Sequence, residues 1–249
     1  MSLFQFQVKF SKSVYNSLNI EKAERIVRNN NTKVKKISAL SNPSKLSCLA
    51  WSIPTKYCNC GLVLSNIEGS ICKGCYAKRG KYTTPSSIIA MQERYDAWLT
   101  QPNWIEAMAL LIKMQSGTLF RWFDSGDLQN IQMILQIMEI ARKTKPTKHW
   151  LPTHEVSMIS NFIKSGYEVP KNMTIRLSSS MINGEALTSL ATELNAYPNV
   201  KGYVGTSTVC ETELWKKDKN ACPAHLQNNK CDTCENCWLH TKNICYEFT

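Results

Sequence analysis

The chain has few acids, few histidines and no long apolar run. Nineteen Asp and Glu meet thirty Lys and Arg, and only four histidines are present. No apolar stretch approaches the ~18–20 residues of a membrane span. The opening Met-Ser-Leu-Phe-Gln-Phe-Gln-Val-Lys is broken by Gln and Lys and lacks a signal-peptide core. A soluble protein kept inside a cell, with no membrane partner, is expected. Disorder of the whole chain is excluded, because hydrophobic residues make up 43%. The length, 249 residues, suits one large domain or one domain with a small appendage.

The formal charge of +11 is unevenly placed. Residues 1–45 hold nine Lys/Arg against Glu21 and Glu24. Residues 46–81 hold Lys56, Lys73, Lys78, Arg79 and Lys81 against Glu68. The rest of the chain is balanced. A basic first third, residues 1–81, fits a nucleic-acid partner or a solvated basic face.

Eleven cysteines are present, at 48, 58, 60, 72, 75, 210, 222, 231, 234, 237 and 245. An odd number without an export signal argues against a disulfide framework. Most fall in two tight clusters, which in a reducing compartment means metal or redox chemistry.

The centre is the most regular part. Strands are predicted over 118–123, 149–152, 173–177 and 201–205. Helical apolar repeats lie between them, such as Leu128, Ile131, Leu135 and Met138. Their centres are about 25–30 residues apart, the spacing of consecutive βα units with a parallel sheet. Before them, Ile20 to Arg28 reads as a short helix. Thr84-Pro85 and Asn103 with Glu106 read as starts of two more. The expected fold is α/β, with βα units in a partial or small irregular (βα) barrel and a Cys-rich metal-binding tail. A full eight-unit barrel needs about 250 residues for itself. The expected organisation is a basic segment 1–45, a βα core 46–206 containing the upstream cysteines, and a Cys-rich segment 207–249 packed on that core.

In the tail, Cys222-Pro223 precedes Cys231-Asp-Thr-Cys234-Glu-Asn-Cys237-Trp238. Three cysteines at consecutive x2 spacing suit a [4Fe–4S] cluster, since short loops let thiolates converge on separate iron corners. Cys222 is the fourth expected ligand. Zinc stays open as the alternative, because Cys222-x2-His225 with Cys231-x2-Cys234 also makes a tetrahedral set, and His240 lies nearby. Upstream, Cys58-Asn-Cys60 and Cys72-Lys-Gly-Cys75 offer a second metal site, or share the first. The x3-then-x2 spacing familiar from radical enzymes that use S-adenosylmethionine is absent.

In parallel βα folds the loops after the strands build the site. Those positions hold Asp124-Ser-Gly-Asp127, Thr153-His154-Glu155, Ser178-Ser-Ser180 and Thr206 to Cys210. Asp124, Asp127, His154 and Glu155 are the candidate acid–base residues. Arg121 and Arg176 lie inside apolar strands and need partners, for which the strand-end acids are candidates.

Several runs together resemble a known family. They are Trp51-Ser-Ile-Pro54, Cys58, Cys72 to Gly80, Arg121-Trp-Phe-Asp-Ser-Gly-Asp127, Trp150-Leu-Pro-Thr-His-Glu155, Cys222-Pro-Ala, and Cys231, Cys234 and Cys237-Trp238. Over roughly residues 45–240 the chain is similar to the bacteriophage family named after mycobacteriophage gene product eighty-eight. The resemblance implies a viral origin and expression in the cytoplasm of the infected bacterial host.

The leading expectation is a cluster-containing enzyme acting on a small-molecule substrate, with ester or amide hydrolysis as its reaction. There an iron lacking a protein ligand would activate water. A zinc-binding nucleic-acid-associated protein is the alternative, and an atypical radical enzyme using S-adenosylmethionine the second.

Overall fold

The computed structural model describes residues 18–29 and 39–248. The basic segment 1–45 therefore lies largely outside the described residues. No helix among them is long and apolar enough to cross a membrane.

Six parallel strands form one sheet in sequential order: β1 (Leu49–Trp51), β2 (Leu119–Trp122), β3 (Lys148–Thr153), β4 (Met173–Ile182), β5 (Tyr203–Cys210) and β6 (Asn243–Glu247). Among the described residues the α-helices are α1 (Ile20–Val27), α2 (Asn59–Leu64), α3 (Pro85–Thr100), α4 (Trp104–Gln115), α5 (Ile131–Lys143), α6 (Val156–Lys164), α7 (Thr188–Asn195) and α8 (Thr212–Trp215). The class is mixed α/β with a parallel sheet, as the apolar spacing implies.

Strand alternation sorts the side chains onto two faces. Phe120 and Trp122 of β2 join Trp51, Leu151, Ile175 and Val204 in the main core, against Met108, Leu111, Ile134 and Ile137 of the helices. Leu119 and Trp150 point the other way. They pack with Ile244, Cys48, Cys237 and Trp238, so the tail covers the second face. Trp238 Nε1 donates to Phe120 O at 2.9 Å.

Burial settles the state of His149 in β3. Trp122 Nε1 donates to its Nδ1 at 3.2 Å, leaving the ring proton on Nε2, 2.7 Å from Thr144 Oγ1. Desolvation holds its pKa down at about 3, so the ring stays neutral and structural.

Several predicted boundaries shift. Thr84 caps α3, accepting from Ser87 N, with Pro85 at the first helical position. Asn103 makes no side-chain cap bond at α4. Asn130 caps α5, through Met133 N at 2.9 Å, so this helix begins at Ile131 rather than Leu128. β4 and β5 run past their predicted ends, so Ser178 to Ser180 and Thr206 to Cys210 are strand residues instead of loops. β1 and β6 carry no sequence periodicity and emerge only through pairing.

Candidate functional site

The carboxyl edge of the sheet gathers most of the chemistry-bearing residues. The segment after β1 does not stay beside β1; it crosses the edge. Asn59 Nδ2 donates to Leu128 O and Gln129 O after β2. Cys60 reaches Glu155 after β3: its N–H donates to Oε1 at 2.8 Å and its Sγ to Oε2 at 3.1 Å. Ile71 N donates to Ser180 O, and Ile182 N to Gly69 O, at the end of β4. Four cysteines, at 58, 60, 72 and 75, therefore lie over the ends of three neighbouring strands.

Gly61 makes room for two of them. A Cβ there would stand 2.9 Å from Cys58 Cβ, 3.6 Å from Cys58 Sγ and 3.7 Å from Cys72 Sγ. A larger residue would push the thiols apart. Burial raises the thiols of Cys60 to about 11, of Cys72 to about 12, and of Cys58 higher still, with Asp127 and Cys75 adding to the rise at Cys58. Bare, these groups are neutral thiols. A bound cation reverses that balance and ionises them.

The strand-end acids divide into two groups. Asp127 is buried, and its oxygens accept from Leu128 N, Thr153 Oγ1 and His154 N at 2.7, 2.6 and 2.8 Å. Desolvation outweighs these bonds and raises its pKa to about 7. Thr153 Oγ1 also accepts from Glu155 N at 2.9 Å. Asp127, Thr153, His154, Glu155 and Cys60 are thus one connected network. His154 Nδ1 is buried without a hydrogen-bond partner, and burial lowers the ring's pKa to about 4. Asp124 belongs elsewhere: its Oδ1 accepts from Ser41 Oγ at 2.8 Å and its Oδ2 from Tyr82 at 3.4 Å.

Backbone geometry at the end of β2 supports this division. Gly126 has φ +82°, and a Cβ there would stand 2.8 Å from Ile53 O. Only glycine lets the β2 loop pack so closely on the chain leaving β1.

Among the described residues the two arginines hydrogen-bond to groups other than the strand-end acids. Arg176 is fully buried and donates to five carbonyls, Cys237, Asn236, Leu239, Thr241 and Thr206, at 2.8 to 3.3 Å. Arg121 stacks over Trp150 at 4.4 Å and donates to Tyr76 Oη at 3.1 Å. For Arg176 the expectation of acid partners fails, because carbonyl groups of the tail and of Thr206 take its guanidinium; Arg121 keeps Asp124 within electrostatic reach, and its Nε is buried without a hydrogen-bond partner.

The tail cysteines form a second set on the covered face. Cys222, Cys234 and Cys237 line one small cavity with Asn220, Thr241 and Ile244. Cys237 Sγ lies 3.1 Å from Tyr246 Oη. Cys222 and Cys231 are near enough to raise the Cys237 thiol electrostatically. Cys48, immediately before β1, is within electrostatic reach of Cys231 and Cys237. Sequence reading left it out, since nothing in its spacing links residue 48 to the tail. His225 Nδ1 stands 2.6 Å from Glu247 Oε2, and His240 stacks on Tyr203.

No curated protein and no solved structure matches the chain. The family described as gene product 88 matches residues 15–240. That span covers most of the sequence, and the chain belongs to this phage protein family.

Proposed function

We propose that this protein is an iron–sulfur enzyme whose reactive cluster is held by Cys58, Cys72 and Cys75 at the carboxyl edge of a partial (βα) barrel. The carrying observation is the cysteine segment that leaves β1 and spans the ends of β2, β3 and β4. Parallel sheets bind their ligands at that edge. Three thiolates would leave one iron of a [4Fe–4S] cluster open to a small molecule. Cys222, Cys231, Cys234 and Cys237, with Cys48 at hand, would hold a second cluster that braces the tail.

The donor chemistry favours clusters over single zinc ions. Thiolates around one zinc stand ~3.8 Å apart. Among the described residues, no three thiols of either set lie within 4.8 Å of one another. The two histidines that a zinc site would recruit are engaged with Glu247 and Tyr203.

We favour S-adenosylmethionine as the molecule at the open iron and radical chemistry as the reaction. Hydrolysis, the other reading, needs a free general base near the metal. Asp127 is committed to three donors and Glu155 to Cys60, which leaves His154 Nδ1 as the one uncommitted base among these three. Held by Cys58, Cys72 and Cys75 and reduced by a cellular electron donor, such a cluster would supply the single electron that reductive cleavage of S-adenosylmethionine requires. The chain's own residues then position and protect. Asp127 anchors the β2 and β3 loops, Glu155 fixes the cysteine segment through Cys60, and His154 offers an unpaired ring nitrogen at the same edge.

The test begins with oxygen-free purification and reconstitution. Iron and sulfide should reach about eight per chain, and Cys72→Ser should lose about half. Electron paramagnetic resonance of the reduced protein should change on adding S-adenosylmethionine, with 5′-deoxyadenosine forming. An intact cluster that neither shifts nor yields 5′-deoxyadenosine removes the radical reading and returns the choice to hydrolysis. Stoichiometric zinc without iron defeats the cluster and favours the nucleic-acid reading, which salt-dependent DNA binding then checks.

A further inference from the structure

A third group of donors lies apart from both cysteine sets, where the last two strands end. Cys210 closes β5 and Cys245 sits at the middle of β6. Parallel register sets Thr208 opposite Cys245, so Cys210, two residues on, projects from the same face. The two sulfurs are 2.8 Å apart. A third donor comes from the segment between the strands. An Asp218 carboxylate oxygen and both sulfurs lie within 4.8 Å of one another.

That segment is held in place by backbone bonds. Cys245 N donates to Asn220 O, and Cys222 N to Cys245 O, at 3.0 and 2.7 Å. Asn220 N donates to Asp218 Oδ1 at 2.7 Å, which orients the carboxylate. The three donors therefore come from separate pieces of chain, each fixed by its own hydrogen bonds. Two sulfurs and one oxygen form a borderline-soft set that suits zinc and not magnesium or calcium. Moving the sulfurs from 2.8 Å to the ~3.8 Å of a tetrahedral site takes about 1 Å of side-chain adjustment. Cys245 is buried while Cys210 and Asp218 are half-exposed, so water can complete the coordination from one side.

We propose that Cys210, Asp218 and Cys245 bind one zinc ion that fastens the end of β5, the 218–222 segment and β6 together. On binding, each thiol releases its proton to solvent and the ion loses water. The site is independent of the clusters proposed above, because none of its donors belongs to either set. Its role is mechanical: β6 follows the whole Cys-rich segment, and the ion ties that returning strand to the sheet.

The full-length protein, purified without oxygen and titrated with zinc, provides the test. After removal of excess metal it should retain about one zinc per chain. Cys210→Ser and Cys245→Ser should each lose that ion with iron content unchanged. Asp218→Asn should weaken zinc binding at least tenfold in competition with a chromophoric chelator. Cobalt in place of zinc should show sulfur-to-metal charge-transfer absorption that Cys245→Ser abolishes. Zinc content unchanged in all three variants, or no uptake at all, overturns the site. So does a native Cys210–Cys245 disulfide, seen as an intact mass two hydrogens lower with both thiols resistant to alkylation. Should the serine variants fail to fold, Asp218→Asn decides alone, and an unchanged affinity counts against the proposal.

Discussion

Residues 58–75 cross the carboxyl edge of the sheet, while residues 231–241 lie against its second face, and different chemistry anchors each. The edge segment is tied through side chains that can change charge: Glu155 takes both the N–H and the thiol of Cys60. The tail is tied through backbone carbonyls to one buried cation, Arg176, and through the Trp238 indole to Phe120 O. A guanidinium bonded to five carbonyls has little freedom to move. The first arrangement suits a reacting centre and the second a plug that builds the fold. Chains with two cysteine-rich segments therefore need not use them alike.

The sharpest way to break this contrast is Arg176→Met. It strands five carbonyls and should cost about 3–5 kcal/mol, read as a lower urea midpoint with early proteolysis in 215–241. Cys72→Ser should do the reverse. It should abolish turnover and remove the edge iron, yet lower stability by only about 1 kcal/mol in the metal-free protein. Equal losses of stability in the two variants would dissolve the distinction between edge and plug.

His154→Ala sharpens the edge assignment. Turnover should fall about a hundredfold with iron content unchanged. Full activity on an identified substrate would move the working groups elsewhere.

A further effect concerns pH. Burial lifts the Asp127 carboxyl to about 7, above the ~3.9 of an unfolded chain. A carboxyl raised in the fold favours folding fully below its unfolded value, and that contribution is lost as pH rises through the folded one. Stability of the metal-free protein should therefore decline from pH ~4 to pH ~7 and level off above it. Asp127→Asn should flatten that slope, as parallel urea titrations would show. A slope identical to the native one would mean that Asp127 is ionised throughout.

The parallel sheet was legible because strands β2 to β5 and their helices carry apolar residues at distinct periods. Asp127, His154 and Glu155 were legible for the same reason, since the end of a parallel strand marks the loop that builds a site. β1 was not, because Leu49-Ala-Trp51 is too short to show alternation. β6 hid within a polar, Cys-rich tail, so the approach of Cys245 to Cys210 was hidden with it.

Local pattern decided the class of fold, the order of its βα units and which residues could bind metal, since periodicity and donor chemistry are properties of the chain itself. Which donors meet was decided only by tertiary structure. Cys60 finds Glu155 across 95 positions, Trp238 finds Phe120 across 118, and Arg176 finds the tail rather than the acids. Those partnerships follow from strand register and from which face each side chain takes. Both are set when distant segments pair and bury apolar surface, and neither leaves a periodic trace in the sequence.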